Sequence, residues 1–400
     1  MYQLVIIGAS PEGLAAAHSC VERYPTARIA LVTQGWEQGW SGDRHGDLGE
    51  ENFWEELRLL AAQGVDVVVG QGIFSQSPSG LLYQTQERTL EGENYLLTSG
   101  KADSKDTNAL AIPVQNPDKA MPQRWVIVGT LPENLVVAKE LTKLGHGVTI
   151  LSRNSHLLPG EDREMASLLQ CYLASLGIEF WFDCSNLASH YDQDKSTYSI
   201  QFNHGSEESS HHLTVDNLLA IGRSPQYGNL LANLPEFNRA LKDSSYLSVN
   251  DHLQTAHGQI YACGDWLKGY HCPAIAQQEA RYVVHQVLGK NTTPINYSQI
   301  PFTIDLAPPW YRIGDPAGTD CAQKIIRGFE PYSDHCDLRG MYKLTLDSQD
   351  RIISAHWFGQ RSRESMALLQ LAIAKGISWQ ELELLPLWEN CQTLSNFVLS

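Results

Sequence analysis

The sequence predicts an α/β protein in which two dinucleotide-type βαβ units precede a C-terminal α+β module. Three observations carry this. The chain opens on an apolar strand, a glycine-containing loop and an Ala-rich helix over residues 2–24. A second strand–loop–helix–strand unit begins at Arg124, about 120 residues later, an internal repetition on the scale of a domain. Toward the C-terminus the pattern changes to a hairpin, "MYKLTL…RIISAHWFG" over residues 341–359, ahead of a helix over about residues 364–375.

Composition narrows the possible functions. With 400 residues, 42% hydrophobic and 18% charged, the chain can bury the cores of two or three domains. Its 45 acidic residues outnumber 29 basic ones for a net charge of −16, and no Lys/Arg run interrupts this; no nucleic acid is expected as a partner. No apolar run reaches the length of a membrane span. Met1 leads directly into a strand rather than a targeting segment. Eight cysteines, at 20, 171, 184, 263, 272, 321, 336 and 391, form neither CxxC nor CxxxxC. They read as buried thiols of a reducing, cytoplasmic compartment, and no metal site is expected.

In the first unit, residues 4–7 are apolar and rich in β-branched side chains, as a buried parallel strand requires. The loop Gly8-Ala9-Ser10-Pro11-Glu12-Gly13 enters a helix that stops before Pro25, and an apolar run from Ala27 completes the unit. Such a unit points a helix N-terminus at a pyrophosphate. Gly8 and Gly13 stand at the first and third glycine positions, while Ser10 takes the second, where a missing side chain admits a phosphate. A ligand-free βαβ unit and a dinucleotide site are both compatible with this loop alone. At the end of the second strand Thr33-Gln34 replaces the usual ribose-binding acid; either residue can hydrogen-bond a ribose, less strongly than a carboxylate.

Residues 35–51 form a Gly-rich, acidic loop whose Trp36 and Trp40 either cover a flat ligand or pack the loop down. A helix over about residues 52–63 follows, then "DVVVGQG", "LLYQTQ" and "ENYLLTSG", expected as strands of a meander. Residues 101–123 have the composition of a linker.

The second unit has its strand at "RWVIVG", its helix at "LVVAKELTKLG" and its next strand at "HGVTILSR". Its loop, Gly129-Thr130-Leu131-Pro132-Glu133-Asn134, keeps only the first glycine. Leu131 and Asn134 carry side chains where phosphate approach and strand–helix contact need none, and Glu133 repels a phosphate. Farther on, "GQIYACGDW" runs a strand into Gly264-Asp265, followed by a helix in "AIAQQEARYVVHQVLG". An aspartate there either accepts a hydrogen bond from a sugar-like hydroxyl or caps a turn. Ser378 and Glu381 have capping-box spacing.

Three stretches, "AIGRSPQ", "IYACGD" with "PAIAQQEARYVVHQVLG", and "ISAHWFGQRSRESMALLQLAIAKG", make the chain resemble the pyridine nucleotide–disulphide oxidoreductase family of dihydrolipoamide dehydrogenase, glutathione reductase and mercuric reductase. The resemblance covers nearly the whole chain and implies two Rossmann-like dinucleotide-binding domains, arranged as in glutathione reductase, plus a C-terminal α+β dimerisation domain. It implies an FAD-binding domain at residues 1–122 and 250–292, an NAD(P)-binding-like domain at 123–249 and a dimerisation domain at 293–400. By that similarity Gly8, Gly13 and Asp265, with Gly264 beside it, meet FAD. Ala9 and Ser10 line its pyrophosphate, Pro11 matches many flavin loops, and Thr98 to Gly100 stands at the family's "ATG" turn.

The departures from the family decide the expected function. Its CxxxxC electron relay has no counterpart, because residues 35–51 contain no cysteine. Its terminal "HPTxSE" motif corresponds to Cys391-Gln392-Thr393-Leu394-Ser395-Asn396, so the His–Glu acid/base dyad is replaced by Cys391 and Asn396. The resulting expectation is an FAD-binding oxidoreductase-like flavoprotein without disulphide reductase activity, with a degenerate NAD(P) loop and no assigned catalytic residue, donor or acceptor. The alternative is a non-catalytic homodimeric scaffold or regulatory protein that retains the flavoprotein fold with or without FAD. Either way, a homodimer through residues 293–400 is expected.

Overall fold

The computed structural model describes residues 1–34, 50–78, 80–98, 122–205, 210–220, 230–243, 246–269, 272–291, 293–315, 324–330 and 340–385. The chain starts with β1 (Leu4–Ile7), α1 (Pro11–Arg23), β2 (Ile29–Thr33), α2 (Glu50–Ala62) and β3 (Asp66–Val69). Next come β4 (Gly72–Ser77), β5 (Gly80–Thr85), β6 (Thr89–Glu91) and β7 (Tyr95–Leu97). The second repeat runs β8 (Arg124–Val128), α3 (Pro132–Lys143), β9 (Gly147–Leu151), α4 (Arg163–Ser175) and β10 (Glu179–Trp181). It continues through β11 (Cys184–Asp192), β12 (Thr197–His204), β13 (Ser210–Val215) and β14 (Asn217–Ala220). After α5 (Asn238–Asp243) come β15 (Ile260–Ala262) and α6 (Pro273–Val287). The remainder holds β16 (Phe302–Ile304), β17 (Trp310–Gly314), β18 (Lys324–Phe329), β19 (Met341–Leu346), β20 (Ile352–Phe358), α7 (Ser362–Lys375) and α8 (Trp379–Glu383).

These elements gather into two compact units, one of Met1–Thr107 with Gly222–Ile295 and one of Asn108–Ile221 with Asn296–Ser400. In the first, a parallel sheet has the order β15-β7-β1-β2-β3. All four residues of β1 and all three of β7 are buried, because helices cover both faces of such a sheet. Helix α1 packs against α6, and Tyr24 Oη and His285 Nδ1 join their ends at 2.9 Å. The strands expected as one meander divide between two sheets. Only β4-β5-β6 is antiparallel, whereas β3 and β7 belong to the parallel sheet, where each pairs with a strand distant in sequence.

The second unit contains a parallel sheet β10-β9-β8-β14 and an antiparallel sheet β11-β12-β13, which share a core of Val126, Leu151, Ile200, Phe202 and Val215. Its third sheet is antiparallel, in the order β16-β17-β20-β19-β18. One face of that sheet carries Tyr311, Ile313, Tyr342, Leu344 and Trp357 against Met366, Leu369 and Ala372 of α7. The hairpin expected at 341–359 is β19 and β20, paired Met341 to Phe358. The Ser378–Glu381 capping box forms in full, with Ser378 N–H donating to Glu381 Oε2 at 2.9 Å and Glu381 N–H to Ser378 Oγ at 3.3 Å.

The other face of the C-terminal sheet is built from charge. Register places Arg312, His356, Lys343 and Arg327 directly opposite one another across β17, β20, β19 and β18. Facing them is the start of α4. Glu161 holds Arg312, Asp162 takes Lys343 Nζ at 2.7 Å, and Glu164 takes both Lys343 at 2.9 Å and Arg327 at 2.8 Å. Asp162 also caps α4 by accepting the Met165 N–H at 3.1 Å.

Candidate functional site

The turn from β1 into α1 is held from beneath by β7. Thr98, immediately after β7 and only 2% exposed, donates its hydroxyl to Gly8 O at 2.8 Å. Its own N–H reaches Ile7 O at 3.1 Å. Gly8 has φ 115°, a conformation that L side chains avoid. A Cβ on Gly13 would run into Gly8 O, so only glycine lets α1 approach the strand end this closely. Ser10 is the N-cap of α1, its Oγ accepting the Gly13 N–H at 3.4 Å, and Pro11 opens the helix.

The second half of the site arrives from far along the chain. β15 lies beside β7 in the same parallel sheet, so Gly264 and Asp265 emerge at the same carboxyl edge as the Gly8 turn. Gly264 has φ 62°, and its N–H donates to Glu279 Oε2 of α6 at 2.7 Å. A Cβ built on Gly264 would lie 3.7 Å from Glu12 Cγ. Gly8, Ala9, Ser10, Pro11, Gly13, Thr98, Gly264 and Asp265 thus share one edge, the crevice in which ligands of parallel sheets bind. Thr33 ends β2 on that sheet but is buried, leaving Gln34 as the exposed member of the pair. Gly100, Trp36, Trp40 and Cys391 lie outside the described residues.

Two titratable groups, Glu12 and Cys263, carry no motif role in the sequence. Glu12 sits in the first turn of α1, and burial raises its carboxyl to about 7; the Ser10 hydroxyl and its own N–H oppose this, while Asp265 and Glu279 add to it. Cys263, at the end of β15, is pushed well above its ordinary value by burial and by the same three carboxyls. Glu12 was visible as an acid inside a phosphate loop. Its neighbours were not, since they lie some 250 residues away in sequence.

The two glycine loops differ in their fitness for a dinucleotide. In the first, Gly8 with its φ of 115° makes the tight turn and Gly13 lets α1 start against the Gly8 carbonyl, so two of the three glycine roles of a pyrophosphate-binding loop are kept. In the second, fully buried Asn134 replaces the glycine equivalent to Gly13, and its Nδ2 donates to Val128 O and Gly129 O, each at 3.1 Å. That amide holds the strand end together from within the position a phosphate-binding helix leaves bare. Leu131 stands at the N-cap of α3 without a side-chain cap bond, and Arg153 is exposed beyond β9. The residues of this second loop do not fit NAD(P).

Among the described residues, Cys20, Cys171, Cys184, Cys263 and Cys272 form no disulphide, and no group of acids, histidines and cysteines is arranged to hold a metal. No described helix is long and apolar enough to cross a membrane.

Residues 124–208, the second βαβ unit and its following sheet, match the sequence family described as pyridine nucleotide-disulphide oxidoreductase. The chain is similar to dihydrolipoyl dehydrogenase of Thermus scotoductus, 22% identical over 277 residues that cover 67% of this chain and 59% of that one. To the Geobacillus stearothermophilus dihydrolipoyl dehydrogenase it is 22% identical over 393 residues, covering 94% and 78%. It thus spans under two thirds of the first relative's length and more of the second's. The crystal structure of LpdA from Mycobacterium tuberculosis superposes with a TM-score of 0.77 at 18% identity, covering 96% of this chain and 95% of that one. That likeness establishes the fold.

Proposed function

We propose that the chain is a divergent member of the pyridine nucleotide–disulphide oxidoreductase family, whose model residues 124–208 match, and that it is an FAD-binding oxidoreductase-like flavoprotein that does not reduce disulphides. The observation that supports this most directly is the meeting of the Gly8–Gly13 turn with Gly264-Asp265 at one sheet edge, while residues 35–51 contain no cysteine. In this reading Gly8, Ala9, Ser10 and Gly13 take the pyrophosphate, and Pro11 fixes the start of α1. Thr33 lies on the adenosine side, Thr98 and Gly100 border the flavin side, and Asp265 accepts a hydrogen bond from the cofactor's sugar-like chain. When bound, FAD supplies two-electron chemistry between a donor and an acceptor. The FAD domain of residues 1–122 and 250–292, the NAD(P)-like domain of 123–249 and the dimerisation domain of 293–400 follow from the same reading.

Disulphide reduction needs a dithiol relay at the flavin and an acid/base group at the partner's C-terminus, and the sequence has replaced both. Asn134 in the second loop supports a flavin that NADH and NADPH do not reduce directly. A homodimer built through residues 293–400 accounts for retention of a complete C-terminal sheet and helix after loss of the dyad. The same module supports a second reading as a non-catalytic scaffold. The discriminating measurement is the visible spectrum of the purified protein before and after incubation with FAD. Absorbance retained near about 450 nm supports the flavoprotein, and its absence under both conditions leaves the scaffold.

A further inference from the structure

A helix N-terminus offers N–H groups and a positive dipole end to an anion. In this loop the protein supplies an anion of its own. Glu12 lies in the first turn of α1. Its Cγ and Cδ lie 3.7 and 3.9 Å from the point that a Cβ on Gly264 would occupy, so its carboxyl reaches from α1 to the β15–α6 turn. There it faces Asp265 on the turn and Glu279 on α6, whose Oε2 already holds the Gly264 N–H, with the Cys263 thiol beside them at the end of β15. Ser10 Oγ accepts the Gly13 N–H at 3.4 Å and donates to Thr98 O at 3.2 Å, while its hydroxyl works against the burial that raises the Glu12 carboxyl. The groups that act on Glu12 from neighbouring elements are acids, so ionising it adds a negative charge where a diphosphate would bring further ones.

We infer that Glu12 tunes the affinity of this chain for FAD: the loop holds the diphosphate more tightly while the Glu12 carboxyl is neutral and less tightly once that carboxyl is ionised. The inference rests on the flavin site proposed above. It follows from placement, because the carboxyl, the helix N-terminus and the Gly264 turn occupy one edge. The carboxyl changes charge in the physiological range, near about 7, so the effect falls within an accessible pH window.

The test is titration of the purified apo full-length chain with FAD at pH 6 and pH 8, followed by quenching of flavin fluorescence. For a carboxyl whose proton is held about one unit more tightly in the complex, wild-type affinity falls about fivefold from pH 6 to pH 8. Glu12→Gln is expected to bind equally at both pH values and at least as tightly as wild type at pH 6. Glu12→Gly, which restores a side-chain-free loop, is expected to do the same, and melting curves establish that each variant is folded. Wild type and both folded variants showing the same pH dependence overturns the inference and leaves the flavin site standing. Absence of binding by all three proteins at both pH values overturns the flavin site itself, and the inference with it.

Discussion

Arg312 and Glu161, 151 residues apart in sequence, form a two-bond ion pair withdrawn from water: Nε donates to Oε2 and Nη2 to Oε1, each at 3.1 Å. Their side chains are 1% and 8% exposed. The guanidinium also donates to Gly314 O at 3.0 Å and lies over the Phe302 ring, which leaves it well partnered on β17. Both ions lost their hydration to reach this position, so the pair adds little over a well-packed apolar substitute, whereas either ion alone is costly. Glu161→Leu or Arg312→Met alone is expected to destabilise the protein by about 3–5 kcal/mol, and the double variant to recover most of that loss. Urea unfolding of the four proteins measures the coupling; additive single effects would show that the two charges do not stabilise one another.

The neighbouring pairs of the same row predict an acid-sensitive contribution. Burial works to raise the Asp162 carboxyl, yet the Lys343 ammonium and the Met165 N–H hold it below the ordinary carboxylate range. Glu164 is held low by Arg327, against burial, and by Lys343. In the folded state these carboxyls bind protons less readily than in the unfolded chain. Their stabilisation is therefore complete above the unfolded carboxylate range and is lost as pH falls through the folded values. Lys343→Met is expected to flatten the stability–pH curve below pH ~4.5 while lowering stability at pH 7. Thermal melts between pH 3 and pH 7, in steps of about half a unit, measure this; an unchanged acid slope would remove Lys343 from the account.

Glu330 makes a comparable prediction through the donors that meet its carboxylate. It is buried, and its carboxylate accepts from Trp357 Nε1 at 2.7 Å, the Gln360 N–H at 2.9 Å and the Arg361 N–H at 2.8 Å. Arg361 is the N-cap of α7, so the charge also meets the positive end of that helix. Gly340 and Gly359 leave the space it fills, since a Cβ on either would collide with its carboxyl group. Glu330→Ala removes the acceptor of the buried Trp357 indole N–H and of two partly buried backbone N–H groups and is expected to cost about 2–4 kcal/mol, with Glu330→Gln losing less. Chemical denaturation orders the three proteins, and equal loss in both variants would assign the effect to volume rather than to hydrogen bonding.

Elements with a local signal were legible in the sequence. The period of α4, the strand–loop–helix units at Gly8 and Gly129, and the Ser378–Glu381 cap each depend on residues within a few positions of one another. β3 and β7 read as parts of a meander in the sequence because a four-residue and a three-residue strand are too short to declare a partner, and their partners in the parallel sheet come from elsewhere in the chain. The row from Arg312 to Arg327 was illegible for a related reason. Alternation marks a polar residue as facing away from the apolar side, and it cannot say that an acidic helix start covers that face. In the candidate site, the glycines and Asp265 were legible as motif positions. Thr98 as the brace under Gly8, and the convergence of Glu12 with Asp265 and Glu279, required the sheet order to bring β7 and β15 beside β1.

Glu12 also leaves a mark on stability that does not depend on any cofactor. Its carboxyl is raised in the folded chain, from the ordinary 4.5 to about 7, chiefly by burial. Between those values the folded chain retains a proton that the unfolded chain has released, so stability declines as pH rises through that window and levels off above it. Glu12→Gln removes the titration and retains a polar group of the same shape. The variant is expected to gain on wild type as pH rises, by about 2–3 kcal/mol at pH 8 relative to pH 5. The comparison uses paired unfolding curves of the apo proteins at the two pH values. A constant difference between wild type and variant would show that Glu12 titrates in its ordinary range, and the carboxyl would then be ionised at the α1 N-terminus at every physiological pH.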